Sequence, residues 1–323
     1  MLKTLAIIKG GVSTKDLNPI LTHVKIKDGW ITSTNGRLTI SAPVALPNDI
    51  EVIVPATKFI AAVKACKEPK FKITEGGKLS ISKGKFRAFL PIMADVIFPS
   101  PQTSGDIIHA GDFIPTINKL MQFVGDDASR SWANGILFYD GQAYATNNVI
   151  LASVETEWSG PAICIPNFLI NELLRIKKEI VSIRSNGETI TFQLEDQVWL
   201  NSSTLPTRWP NVLKMYSTVD FNLIKKIPEG FQEAIENILP FCPDPKYPKI
   251  ILSETGVSTE KGDHEASVDM EGLSTSLWRA EPLLNLLSNT DKIGISIDFS
   301  QHPRPCPWIR GDGVRGVIVG LKQ

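Results

Sequence analysis

Two short runs place side chains that could do chemistry close together. Asp263-His264-Glu265 offers three potential metal ligands in a row, and "HPRPCPW" (302–308) places the Cys306 thiol near the His302 imidazole. A metal centre draws its ligands from separate elements, and no second His/Asp cluster accompanies the triplet, so it reads as a solvated loop. A nucleophile needs a positioned base and a third group to orient that base. Nothing of the kind surrounds Cys306, and a proline-rich turn between strands accounts for the run. "IKGGVSTK" (8–15) has the small residues of a phosphate loop without the Gly-Lys-Ser/Thr ending, and reads as a loop that ends a helix. No G-x-S-x-G elbow, Walker A loop or G-x-G-x-x-G fingerprint is present. His23 and His109 stand alone. These residues predict no enzyme, no metal and no cofactor.

The cations are more suggestive. Lys58, Lys64 and Lys67 fall on the polar face of one amphipathic stretch, and Arg175, Lys177 and Lys178 fall near the end of another. Lys119 lies opposite the apolar stripe of a third. Two readings stand side by side. Cations favour helix C-termini through the macrodipole and solvate a surface. Alternatively, several such faces line one surface that touches DNA phosphates without reading sequence.

The elements that carry these residues recur. "FPSPQTSGD" (98–106) and "SSTLPTRWPNVLKMYSTVD" (202–220) read as linkers and divide the chain into thirds, 1–103, 104–218 and 219–323. Each third opens on a hairpin-like segment: "THVKIKDGWITSTN" (22–35), "NGILFYDGQAYATN" (134–147) and "PKIILSETGVSTEK" (248–261). Alternating apolar residues flank a turn glycine in each, Gly29, Gly141 and Gly256, which is the signature of half-buried strands. An amphipathic helix then starts at a proline, Pro55, Pro166 or Pro282, a residue tolerated in a first helical turn. The glycines are 112 and 115 residues apart and the prolines 111 and 116, so two independent landmarks give nearly the same offset. Short alternating strands follow each helix.

A further helix opens the second third, with Phe113, Ile117, Leu120, Met121 and Val124 on one face. "EGFQEAIENILPF" (229–241) does the same in the last third, through Phe231, Ala234, Ile235, Ile238 and Leu239. Its counterpart in residues 1–20 is short and interrupted by Gly10-Gly11. Thr34-Asn35 and Thr146-Asn147 mark one more repeated feature, a corner after the hairpin. The pattern predicts three copies of one α+β domain.

Composition agrees with a folded chain. Of 323 residues, 42% are hydrophobic and 21% charged, a globular mixture rather than a disordered one. Lys plus Arg equals Asp plus Glu at 34 each, so any contact with nucleic acid rests on local charge placement or on topology. Cys66, Cys164, Cys242 and Cys306 are far apart and read as reduced thiols in a cytosol-like compartment. The apolar run at the N-terminus is too brief for a signal peptide, and no stretch is long enough to span a membrane. A soluble cytoplasmic protein is expected.

In the second third, "RSWANGILFYDGQAYATNNVILAS" (130–153) joins an Arg-aromatic-Asn-Gly strand start to an A-T-N-N-V-I-L-A turn. In both it resembles the bacterial β sliding clamp family, the processivity subunit of the replicative DNA polymerase, whose turn reads A-T-D-G-H-R-L-A. "TLPTRWPNVLKM" (204–215) resembles its G-R-F-P-D-Y-R-R-V segment, and "PCPWIR" with "GVIVGLKQ" its closing strands. "LNPILTHVKIKDG" (17–29) is similar to its L-P-I-L…D-G start. The resemblance covers the whole chain, and the order and spacing of these segments carry it.

The resemblance implies a head-to-tail homodimer whose six domains close a ring around duplex DNA, helices inside and sheets outside. It places the subunit joint at Ile238 and Leu239. By position Lys15 matches a basic residue that the family points at DNA, and with Lys64, Lys67, Lys119, Arg175 and Lys178 on the helix faces above it completes the expected DNA-contacting set. A linked ring needs only weak phosphate contacts to slide, which suits a neutral chain. DNA polymerase and clamp loader would bind through a short linear peptide in a hydrophobic cleft. Carried over by position, that cleft uses Thr146, Asn148, Val149, Ile150, Leu151, Pro210, Lys214, Met215, Val317, Val319, Gly320 and Leu321.

The departures lie in that cleft. The family's Gly-His-Arg is Asn148-Val149-Ile150 here, and its Pro-Met-Arg-Leu ending is Gly320-Leu321-Lys322-Gln323. A more apolar cleft with altered peptide preference is expected. The chain is also shorter than is usual for the family, and such divergence suits a phage-encoded or otherwise specialised clamp. The rival expectation is a peptide-binding scaffold with clamp-like repeats that does not encircle DNA.

Overall fold

The structure, a computed structural model, describes residues 1–15, 18–47, 50–66, 68–94, 96–100, 105–209, 212–217, 219–290, 292–294 and 305–321. The side chains of Val212, Met215 and Leu223 also lie outside the described set. The chain forms two units, Met1–Ala110 with Phe168–Thr204, and Gly111–Asn167 with Leu205–Gln323.

The first third runs α1 (Leu2–Ile8), β1 (His23–Lys27), β2 (Trp30–Thr34), β3 (Leu38–Pro43), β4 (Val52–Pro55), α2 (Ala56–Ala65), β5 (Lys70–Ile73), β6 (Lys78–Lys83) and β7 (Phe86–Pro91). The second runs β8 (Asp106–Ile108), α3 (Phe113–Leu120), β9 (Gly135–Tyr139), β10 (Gln142–Thr146), β11 (Ile150–Glu155), β12 (Ile163–Pro166) and α4 (Asn167–Ile176). It continues through β13 (Ile180–Ser185), β14 (Thr189–Leu194), β15 (Val198–Ser203) and α5 (Val212–Ser217). The last third has β16 (Lys225–Lys226), α6 (Phe231–Ile238), β17 (Lys249–Ser253), β18 (Gly256–Thr259), β19 (Ser267–Asp269) and β20 (Ser276–Arg279). It ends with α7 (Ala280–Leu287), β21 (Lys292–Ile293), β22 (Pro305–Ile309) and β23 (Arg315–Val319).

Local chemistry explains the hairpins. Asp28-Gly29 and Asp140-Gly141 all have positive φ, from 50° to 76°, as a two-residue type I′ turn requires. The third hairpin differs from the expectation. Its turn is Glu254-Thr255, and Gly256 is the first residue of β18, where a Cβ would stand 2.1 Å from the Val268 carbonyl oxygen. Close packing of β19 and a φ of 151° within the strand select that glycine, not the turn. The helix starts also shift. Pro55 and Pro166 close the preceding strands, while Pro282 is the third residue of α7. Helix starts at 56, 167 and 280 are therefore 111 and 113 residues apart, a tighter register than the prolines suggested.

Other edges moved for packing reasons. After Leu120 the chain tightens into a 3₁₀ turn, so Phe123 is buried in place of Met121 and Val124. α6 ends at Ile238, and Leu239–Phe241 forms a second 3₁₀ turn. The stretch read as a linker at 202–220 contains the end of β15 and all of α5. Residues 2–8 do form a helix, which passes into a 3₁₀ turn at Lys9–Gly11.

The two eight-stranded sheets have matching orders. In the first unit the order is β4-β1-β2-β3-β15-β14-β13-β8, and in the second β12-β9-β10-β11-β23-β22-β21-β16. Each joins four strands of one repeat to the last three strands and the short opening strand of the next, through the antiparallel pairs β3–β15 and β11–β23. Two half-sheets are left, β5-β6-β7 in the first unit and β19-β18-β17-β20 in the second. By position, β7 matches β15 and β23, and β19 matches β3 and β11. Among the described residues both are edge strands.

Helices bury one face each. Phe59, Ala62 and Val63 of α2 are fully or nearly fully buried at i, i+3, i+4, and so are Leu169, Ile170 and Leu173 of α4 at i, i+1, i+4. In the second unit Phe138 sits between Phe113, 5.3 Å away, and Trp158, 4.7 Å away, centroid to centroid. No helix among the described residues is long and apolar enough to cross a membrane.

Candidate functional site

Thr146-Asn147-Asn148 turns β10 into β11 by side-chain hydrogen bonds. Asn147 Oδ1 accepts from the Val149 and Ile150 amides at 3.1 and 2.8 Å, and Thr146 Oγ1 accepts from the Asn148 amide at 3.1 Å. Thr146 Oγ1 also donates to the Ile150 carbonyl at 2.7 Å. The turn needs a left-handed residue, and Asn148 supplies φ 72°. The same arrangement occurs at Thr34-Asn35-Gly36 and again at Ser185-Asn186-Gly187. Only the copy at 146 has a side chain at the left-handed position.

Beyond the corner, β11 pairs with β23, and the ladder continues through the Val319 amide to the Val149 carbonyl at 3.0 Å. The Leu321 amide then donates to the Leu277 carbonyl of β20 at 2.7 Å. Where β23 passes from β11 to β20, a cavity of about 210 Å³ opens. Asn148, Val149, Trp278, Arg279, Val319 and Leu321 line it, with Ile318 and Gly320. A second cavity of about 460 Å³ lies on the other side of the corner and is more polar, taking Asn147, Ile150, Gln122, Glu281, Asn285 and Asn289 among its walls.

The expected cleft residues are thus partly assembled. Asn148, Val149, Val319, Gly320 and Leu321 share the first cavity, while Ile150 faces the second. Thr146, Leu151 and Val317 are buried within the sheet and reach neither cavity wall. Lys214 is exposed on α5; Pro210 and the Met215 side chain lie outside the described residues. Sequence reading missed Trp278, Arg279 and Ile318. The first two come from β20, which meets the cavity only through the Leu277–Leu321 bridge, and no local signal marks that pairing.

α5 is anchored beside this strand set. Tyr216 Oη lies 2.7 Å from Ser153 Oγ of β11, and its ring meets Tyr144 and Phe221 edge-on at 6.2 and 5.5 Å. Burial pushes the Tyr216 phenol above its ordinary value, and burial followed by the neighbouring Tyr216 does the same to Tyr144. On the opposite hairpin, Arg310 grips Asp312 with Nε and Nη2 at 2.7 and 2.8 Å and reaches the Lys119 carbonyl at 3.3 Å. That pairing holds the Asp312 carboxyl below the usual range.

The expected DNA cations divide. Lys15 and Lys64 are exposed and make no ion pair with another described residue. Lys119 donates to the Asp312 carbonyl at 2.8 Å, so it braces the β22–β23 turn. Arg175 donates to the Ala6 and Ile7 carbonyls at 3.0 and 2.8 Å and to Glu172 at 2.7 Å, closing the C-terminal end of α1. Lys178 pairs with Asp196. Lys67 lies outside the described residues.

Ile238, expected at a subunit joint, is 1% exposed and belongs to the core beneath α6, because the helix turns that face inward. Leu239 is half-buried, and Phe241 beside it is exposed. Asp263, His264 and Glu265 are exposed loop residues, and among the described residues no cluster of three His, Cys, Asp or Glu is placed to hold a metal. Cys306 is fully buried on β22, which pushes its thiol far up and away from nucleophilic behaviour; His302 lies outside the described residues.

Solved structures similar to this fold include bacterial clamps. A DnaN sliding clamp (DNA polymerase III subunit beta) from Bartonella birtlesii, bound to griselimycin, superposes with a TM-score of 0.77 at 17% identity, over 100% of this chain and 97% of that one. The C. crescentus beta sliding clamp gives 0.76 at 18% identity, over 100% and 96%. The DNA polymerase sliding clamp from Bacillus subtilis gives 0.74 at 16% identity, over 100% and 97%. No protein-family model matches the sequence, and no curated protein matches it. Superposition over the whole chain, with TM-scores of 0.74 to 0.77, makes this chain a divergent example of the bacterial β sliding clamp fold.

Proposed function

We propose that the chain is a non-enzymatic processivity clamp. Two copies close head to tail around duplex DNA, and the cavity beside Asn148 takes a short peptide of the polymerase or clamp loader. The three sequence thirds, 1–103, 104–218 and 219–323, act as its domains. The observation that carries this reading is the pair of unmatched half-sheets. Twice within the chain an edge like β19 is capped by a strand like β7, so β7 of one copy is the natural partner for β19 of the next.

Charge supports that pairing. Between residues 68 and 91, around β5-β6-β7, Lys70, Lys72, Lys78, Lys83, Lys85 and Arg87 face only Glu68 and Glu75. Between 254 and 278, around β18 and β19, six carboxylates stand against Lys261. Opposite fields on the two edges favour a heterologous contact and oppose each edge pairing with itself. Phe89 on β7 is 54% exposed, an apolar side chain that a partner strand would cover.

A closed dimer of about twice 35.5 kDa with a ring-shaped outline is the expected result in solution. With a cognate polymerase and loader, primer extension should yield longer products per binding event. A chain that stays monomeric at micromolar concentration and gives no gain in product length sinks the proposal.

One observation favours a second reading, a scaffold that never encircles DNA. Lys119, Arg175 and Lys178 are held by the chain's own groups. Lys15 and Lys64 remain as DNA contacts of the proposed clamp. Reversing both charges should shorten residence on circular DNA if the clamp reading holds, and leave a scaffold unaffected.

A further inference from the structure

The cavity has an apolar floor and a cationic rim that the corner residues do not predict. Val149, Trp278, Val319 and Leu321 supply the floor, and Arg279 stands at the edge as the residue before α7. Its side chain is exposed. Its guanidinium carbon lies 5.0 Å from the centroid of the Tyr247 ring, and Lys246 Nζ lies 5.3 Å from the same centroid. Lys249 is the cross-strand neighbour of Arg279, so two further cations lie near Arg279, which alone of the three lines the cavity. Glu260, 3.5 Å from Lys249, answers one of them. Among the described residues no carboxylate lies within ion-pair distance of Arg279 or Lys246.

An aromatic face holds a guanidinium in place but leaves its N–H groups unsatisfied by protein acceptors. A planar, oriented donor beside an apolar recess is suited to a ligand that buries a hydrocarbon side chain and presents a carboxylate next to it. Resting on the reading of this cavity as a peptide site, we propose that Arg279 selects the peptide. The occupant is a linear segment with a Leu- or Phe-sized anchor in the cavity and an Asp or Glu side chain one or two residues away, paired with Arg279.

The test uses the full chain and acetylated, amidated hexapeptides with a single Leu or Phe anchor and either Asp or its isostere Asn one or two residues from it. Binding is read from fluorescence anisotropy of labelled peptides at low and high salt. Asp peptides should bind about tenfold more tightly than Asn peptides at low salt, with the margin shrinking as salt rises. Arg279→Gln should abolish the preference while leaving the Asn peptide unchanged within about twofold. Arg279→Lys should restore part of it.

Equal affinity for Asp and Asn peptides, or a preference that survives Arg279→Gln, overturns the role of Arg279 and leaves the peptide site standing. A free C-terminal carboxylate that binds more tightly than the amidated Asp peptide overturns the side-chain assignment. Failure of every peptide to bind overturns the peptide site and this inference together. Unfolding curves of the two variants that match the parent exclude a folding defect, because Arg279 is exposed and caps nothing through its side chain.

Discussion

Tyr216 Oη and Ser153 Oγ, 63 residues apart, lie 2.7 Å from each other and fasten the short helix α5 to the strand β11. Ser153 is fully buried, so the hydroxyl it shares is shielded from water on the sheet side. Removing the phenol as Tyr216→Phe should cost about 1 kcal/mol, the net worth of one such bond. Tyr216→Ala also removes the ring contacts to Tyr144 and Phe221 and should cost about 3 kcal/mol. Urea unfolding monitored by fluorescence separates the two values.

Gly316 is the tightest point of the β11–β23 seam. A Cβ there would meet the Leu151 carbonyl oxygen at 2.0 Å and the Trp308 ring at 2.5 Å. Backbone and a buried indole cannot both yield, so Gly316→Ala should destabilise by about 3 kcal/mol or more. Gly313 has φ 88° and nothing within 4 Å of its missing Cβ, so Gly313→Ala should cost about 1 kcal/mol through backbone conformation alone. Thermal unfolding of the pair tests the ranking, and a smaller loss for position 316 would overturn the packing account.

Arg175 and Lys64 should separate stability from DNA residence. Arg175→Gln releases the Ala6 and Ile7 carbonyls and should lower stability by about 1 kcal/mol, partial exposure limiting the loss. Lys64→Gln should leave unfolding within about 0.5 kcal/mol of the parent and shorten residence on circular DNA. Calorimetry with a DNA-retention assay reads both, and equal thermal losses at the two positions would contradict the assigned roles.

The buried thiols make the fold sensitive to alkali. Burial pushes Cys164 from 9.0 up to about 12 and raises Cys306 further. The unfolded chain gives up these protons first, so the contribution is intact below about pH 9 and is lost as pH rises toward the folded values. Each thiol should then lower stability by roughly 1.4 kcal/mol per pH unit above its unfolded value. Cys164→Ser should remove the corresponding part of the slope between pH 9 and 11. An unchanged slope would show that Cys164 does not remain protonated in the folded chain.

Much of each repeat was legible along the chain. Asp28-Gly29 and Asp140-Gly141 announce their hairpins because only residues that accept positive φ make that turn. Phe59 and Val63, or Leu169 and Leu173, lie four apart and mark the buried face of their helices. Gly256 misled for the same local reason: a glycine beside a hairpin looks like its turn, whereas the demand came from its φ within the strand and from Val268 on the neighbouring strand.

Sequence alone therefore determined the repeat, its hairpins, its helical faces and the Thr-Asn corner, all of which depend on neighbours within a few residues. Tertiary structure decided which strands complete each sheet, because β11 pairs with β23 and β3 with β15 across more than 150 residues. It decided that Arg175, Lys119 and Lys178 serve the chain's own carbonyls and carboxylate, since a cation's partner is whatever acceptor the fold brings near. It also brought Trp278 and Arg279 to the corner at Asn148. Hydrogen bonding between strand edges is blind to side-chain identity, so no residue in the sequence names the strand it will meet.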